Sequence, residues 1–123
     1  TFKLALYTAN PYTVSSTAYS SGAANQVGTS GTGYSTGGNT LTGNAVANQN
    51  DVATVDFTDT SWSSATFTAA FGVIYNSSAS DKLIVVLDFG GSKSCSNGTF
   101  TISFPDPTSG SPAGTDAIIS LTS

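Results

Sequence analysis

The 123 residues include seven Asp and three Lys but no His, Arg, Glu or Met, so only 8% of the chain is charged and the formal net charge is −4. An average globular domain is about one quarter charged; without those side chains most acid–base and phosphate chemistry lacks its usual residues, and no catalytic residue, cofactor or metal is expected. Lys3, Lys82 and Lys93 are too scattered to form a basic stripe, which excludes nucleic acid as an expected partner.

Ser, Thr, Gly and Asn fill 60 of the 123 positions, a composition that predicts a surface of hydroxyls and amides suited to packing and assembly. The length predicts a single domain over residues 1–123, burying roughly two thirds of its unfolded surface. Cys95 stands alone and cannot close an intrachain disulfide, so the core must hold the fold. The longest apolar run, Leu83 to Leu87, is five residues, far short of the roughly 18 that cross a bilayer. Residues 2–7 alternate like a strand rather than reading as a leader. A soluble chain with no membrane partner is expected.

Taken in chain order, Phe2, Leu4 and Leu6 alternate with Lys3, Ala5 and Tyr7, as a half-buried first strand requires. Residues 8–39 follow without a convincing element, a length uncommon for a loop inside a compact domain. Tyr12, Val14, Tyr19, Val27 and Tyr34 are spaced along this arm. Tyr12, Tyr19 and Tyr34 are the candidate interface residues, because tyrosine offers rigid apolar area with a polar tip. The alternative is that the arm lies on its own domain and the tyrosines pin it there.

Leu41 to Ala47 and Val52 to Phe57 are weaker strands, expected to pair as a hairpin around the Asn-rich residues 48–51. Ala65, Phe67, Ala69, Phe71, Val73 and Tyr75 alternate on one face of a long, bent strand, with Gly72 marking a bulge or a close backbone approach. Leu83 to Phe89 is nearly continuous in apolar residues and reads as a central strand covered on both faces. Residues 90–98 are expected to turn the chain into Thr99 to Phe104, giving an antiparallel hairpin. Pro105 and Pro107 end it, and Ala117 to Leu121 supplies a last strand. The pattern predicts an all-β, antiparallel β-sandwich of about 7–8 strands, jelly-roll-like or immunoglobulin-like. Its expected core is Leu4, Leu6, Val55, Phe57, Phe67, Phe71, Val85, Leu87, Phe100, Ile102, Phe104 and Ile119.

Several clusters invite a chemical reading, and each has a plainer one. Gly90-Gly91-Ser92-Lys93-Ser94 resembles a phosphate loop, but Ser92 precedes the lysine and a strand rather than a helix follows, which favours a polar turn. Gly28, Gly31, Gly33, Gly37 and Gly38 have the wrong spacing for a nucleotide fingerprint and fit tight turns. Asp51, Asp56 and Asp59 suggest paired carboxylates or a Ca2+ site, although turn and strand-end caps explain such aspartates more often. Cys95 lacks the histidine or helix terminus that forms a thiolate, and no Ser-His-Asp set is available. Trp62 and the five tyrosines suit a sugar-binding platform only if exposed.

Gly33-Tyr34-Ser35-Thr36-Gly37-Gly38 followed by Leu41, then Asp56-Phe57, Trp62, Thr66-Phe67-Thr68-Ala69, Tyr75 and Leu87-Asp88-Phe89-Gly90-Gly91, together resemble the small β-sandwich virion proteins of tailed bacteriophages, of the capsid cement or decoration type. Gln26 departs from that pattern, which places an acidic residue before the position of Val27. The resemblance implies a non-enzymatic structural protein on the exterior of the phage head, present in the host cytoplasm during assembly. Its implied partners are the major capsid protein, copies of itself, or both. Two alternatives stand beside it: a tail or head-completion component, and a carbohydrate-binding β-sandwich module.

Overall fold

The computed structural model describes residues 1–43, 45–49, 52–104 and 120–122, of which 45–49, 52–55 and 120–122 are described by backbone pairing alone. Every regular element among them is a strand: β1 (Phe2–Tyr7), β2 (Asn39–Leu41), β3 (Ala45–Gln49), β4 (Val52–Asp56), β5 (Thr60–Asn76), β6 (Lys82–Ser103) and β7 (Ser120–Thr122). They form an open antiparallel sheet in the order β2-β1-β5-β6, with β7 added at the end of β6, and a separate β3–β4 hairpin. The chain is therefore all-β and antiparallel. Among the described residues no helix is long and apolar enough to cross a membrane.

The alternation of residues 2–7 gives the expected first strand, which pairs with β2 through Leu4↔Asn39 and with β5 through Leu6↔Gly72. The hairpin of β3 and β4 also forms, with Ala45 opposite Asp56 and Gln49 opposite Val52; Leu41 belongs instead to β2. β5 and β6 are long partners, and their ladder carries shifts in register at Trp62/Ala65, Ala65/Phe67, Ala69/Phe71 and Ile74/Tyr75. The largest sets Ala69 opposite Lys93 but Phe71 opposite Asp88, so the intervening residues of β6 bulge out. Gly90 (φ 74°) and Gly91 (φ 148°) turn this bulge, and the Asp88 carboxylate accepts the Gly90 N–H at 2.9 Å. Bulges bend and twist a strand pair, and the consequence here is large. Phe89 and Phe100 would lie on the order of 35 Å apart in a straight strand, yet their ring centroids are 6.5 Å apart. The long β5–β6 ribbon folds over on itself.

The inside of that fold is the main core, where Leu4, Leu6, Phe57, Phe67, Phe100, Ile102 and Phe104 are buried as expected, with Leu87 partly buried at its rim. The Val55 side chain and Ile119 lie outside the described residues. Three expectations change. The expected arms, Leu83 to Phe89 and Thr99 to Phe104, are not a hairpin: residues 83–89 and 99–103 are two stretches of one strand, both paired with β5; the glycines bend the chain without reversing it. Leu83 to Phe89 is not covered on both faces, since Ile84, Val85 and Val86 are 54%, 40% and 36% exposed. The alternation of β5 also changes phase: Ala65, Phe67 and Ala69 face the main core, whereas Phe71, Val73 and Tyr75 face the opposite side of the sheet. The change falls where the ladder shifts register between Ala69 and Phe71, and residues on either side of such an irregularity need not keep one alternation. Gly72 is a close approach, since a Cβ there would meet Leu4 Cδ1 and the Phe89 ring at 3.1 Å.

Core position, more than apolar character, should govern the cost of truncation along β6. Phe100→Ala is expected to lose about 3–5 kcal/mol and Val85→Ala less than about 1.5 kcal/mol. Urea unfolding of both variants checks this, and equal losses would contradict the burial pattern.

Candidate functional site

Residues 8–39 form a strap across the second face of the sheet. At one end it pairs with the start of β6: Ala18 bridges Lys82, Tyr19 N–H donates to Asp81 O at 2.8 Å, and Leu83 N–H donates to Thr17 O at 3.0 Å. It then crosses to β1 and pairs there beyond the end of β2. Tyr7 bridges Gln26, Thr8 N–H donates to Asn25 O at 2.8 Å and Val27 N–H donates to Leu6 O at 3.0 Å. The remaining donor at that edge, Leu6 N–H, is accepted by the Tyr34 hydroxyl at 3.1 Å. Beside these anchor points Tyr12, Tyr19 and Ala23 pack on Ala5, Tyr7, Val73 and Tyr75. Gly38 (φ 74°) ends the strap where a Cβ would overlap the Leu4 carbonyl, so only glycine fits.

All five tyrosines of the chain meet at this strap. Tyr19 stacks on Tyr75 with ring centroids 4.2 Å apart and planes 7° from parallel, while Tyr7 and Tyr12 meet edge to face. The Tyr7 and Tyr12 hydroxyls lie 2.9 Å apart, and Tyr75 donates to Gly37 O at 2.9 Å. Gln26 joins the two sides, its Nε2 donating to the hydroxyls of Tyr34 at 2.9 Å and Tyr19 at 3.2 Å. Burial is the first cause that raises the phenols of Tyr7, Tyr19, Tyr34 and Tyr75; the Tyr12 hydrogen bond adds to it at Tyr7, and the Gln26 hydrogen bond opposes it at Tyr19 and Tyr34.

Of the candidate interface residues, Tyr12 and Tyr19 are half-buried on the strap, and Tyr34 is 2% exposed with its ring in the main core. The three are brought together, and each pins the strap to its own chain. Their spacing in the sequence marks the segment, but the role of Gln26 has no signal there beyond its place beside Val27. Trp62 is 4% exposed and packs near Tyr34, Phe67 and Phe100, so it presents no ring for a sugar. Asp59 accepts the Phe104 N–H at 2.8 Å, the capping role expected of such an aspartate; Asp51 lies outside the described residues. Among the described residues no group of three or more His, Cys, Asp or Glu converges on a metal position. Gly90 to Ser94 runs from the bulge in β6 into its ladder with β5 and opens no helix, and the Cys95 thiol lies 3.8 Å from Phe67 O at the edge of the core.

A second surface emerges on the folded-over half of the sheet. Ser61, Ser63, Ser64, Thr66 and Thr68 of β5 and Ser92, Ser94, Ser96 and Thr99 of β6 are all exposed, and Thr68 Oγ1 and Ser94 Oγ are 2.8 Å apart across the strands. This is a field of hydroxyls in which Asn97 also lies and Lys93 is the one charged residue. No family model, curated protein or solved structure matches the chain.

Two outcomes follow from the strap. A phenol whose pKa is higher in the folded than in the unfolded chain contributes stability that is fully present below the ordinary value of 10.0 and is lost as the pH rises above it. Urea midpoints should therefore fall above about pH 10, and Tyr75→Phe should blunt that fall; an unchanged slope would contradict the burial assignment. Gly38→Ala should cost at least about 2 kcal/mol, whereas Gly90→Ala, with the same sign of φ but open space around it, should cost about 1 kcal/mol. Thermal unfolding of the pair separates overlap from backbone strain.

Proposed function

We propose that this chain is a structural virion protein of a tailed bacteriophage, a capsid cement or decoration protein that binds the major capsid protein lattice from the outside of the head and stabilises it. On this reading the folded-over sheet is a β-sandwich of jelly-roll or immunoglobulin type, and the protein acts without catalysis or a cofactor. The observation that carries the proposal is the hydroxyl field on β5 and β6. Bringing ions into an interface costs desolvation that pairing only partly returns, whereas Ser and Thr hydroxyls exchange water for a partner at little net cost. Such a surface suits contacts that are individually weak and repeated by symmetry, where linkage supplies the strength that one site lacks.

The residues that carry the family resemblance support the fold half of the proposal. Tyr34, Trp62 and Phe67 lie with ring centroids 6.1 to 6.4 Å apart in the main core, and Gly90-Gly91 sets the bend. They are fold-forming residues, so their shared order points to a shared architecture. Tyr12 and Tyr19 are the strap residues that a neighbouring subunit would reach, while Tyr34 supports them from inside.

Quantitative mass spectrometry of purified virions tests the role. Copy number proportional to the major capsid protein is expected of cement. A few copies per particle would move the chain to a tail or head-completion position, and absence from the particle would overturn the proposal.

A further inference from the structure

The stacked pair of Tyr19 and Tyr75 has a geometry that its packing role does not require. The rings lie 4.2 Å apart and 7° from parallel. Both hydroxyls approach Gly37, the Tyr75 oxygen 3.1 Å and the Tyr19 oxygen 3.8 Å from where a Cβ on that glycine would sit. The phenol ends of the two stacked rings therefore both lie at Gly37. Each hydroxyl has an acceptor for its proton: Tyr75 donates to Gly37 O at 2.9 Å and Tyr19 to Gln26 Oε1 at 3.3 Å. Competing oxidisable groups are few. The chain has no Met, and Trp62 and Cys95 belong to the core on the other face of the sheet.

We propose that Tyr19 and Tyr75 are a dityrosine cross-linking site, through which one-electron oxidation staples the strap to β5. The reaction takes two equivalents of a one-electron oxidant, such as a high-valent haem peroxidase or a photogenerated ruthenium(III) complex. Each phenol gives one electron to the oxidant and its hydroxyl proton to solvent. The two phenoxyl radicals join by a new bond between ortho carbons, and the hydrogens on those carbons shift to the oxygens and restore both phenols. The net change is the loss of two hydrogen atoms from the chain, with no leaving group. Tyr7 and Tyr12 are also in contact, but their planes stand 82° apart, an edge-to-face arrangement in which the ortho π-orbitals do not overlap. The staple would close residues 19–75 into a loop and remove the freedom of the strap to leave the sheet.

The experiment is photo-oxidation of the dilute, purified chain with tris-bipyridyl ruthenium and persulfate, read by dityrosine fluorescence, intact mass and peptide mapping. A monomer lighter by two hydrogens is expected, with the link between the peptides that hold Tyr19 and Tyr75. Tyr12→Phe should retain that link, Tyr19→Phe and Tyr75→Phe should lose it, and chain unfolded in urea before illumination should lose it too. A link mapped in the wild-type chain to any other pair, dimers in place of the internal link, or no coupling at all would overturn the proposal.

Discussion

An open sheet leaves two edges of unpaired N–H and C=O groups and, once one face is taken by the core, a second face to cover. In this chain a single segment answers part of each need. Residues 17–19 pair with the start of β6, residues 25–27 pair with β1 where β2 has ended, and Tyr12, Tyr19 and Ala23 of the same segment pack on residues of β1 and β5. Uncovered edges template further pairing, so the strap also limits where another strand can add. It stops at Leu83, and the exposed Ile84, Val85 and Val86 begin immediately beyond it.

The strap can only work because the sheet presents two different faces. A ribbon of two long strands has too little area on one side to enclose a core, and the bulge at residues 89–92 solves this by folding the ribbon over. Phe89 then meets Phe100, and Trp62, Phe67 and Tyr34 pack between the layers. Tyr34 belongs to both systems, with its ring in the core and its hydroxyl completing the ladder of β1 through Leu6 N–H. Loosening the strap therefore also disturbs the core, which ties the order of the second face to that of the first.

How much of this was legible depended on whether the signal was local. Alternation in residues 2–7 needed no distant partner to be read, and the Asn-rich turn between β3 and β4 announced itself by composition. The phase change in β5 was not legible, because it falls at a register shift that exists only once the partner strand is placed. Gly90-Gly91 carried a correct sign of irregular backbone and the wrong consequence, since glycines with positive φ serve a bulge as readily as a reversal. The apolar run from Leu83 to Leu87 suggested a covered strand by hydrophobicity alone, although edge position is set by the order of strands in space. For the site, the spacing of Tyr12, Tyr19 and Tyr34 identified a segment held by aromatic contacts. The sequence alone could not show that the contacts are to Tyr7 and Tyr75 of the same chain.

The scarcity of charge links these structural features to the proposed role. A chain with few ions must keep itself soluble with hydroxyls and amides, and it must fix its surface segments by hydrogen bonds and ring contacts in place of salt bridges. The strap shows the second solution, where five phenols and one amide do the holding. The exposed face of β5 and β6 shows the first. Neither depends on salt, because hydrogen bonds between neutral groups are not screened as exposed ion pairs are. A surface of this kind changes little with ionic strength, which is what the proposed role, with contacts held on a particle, would require.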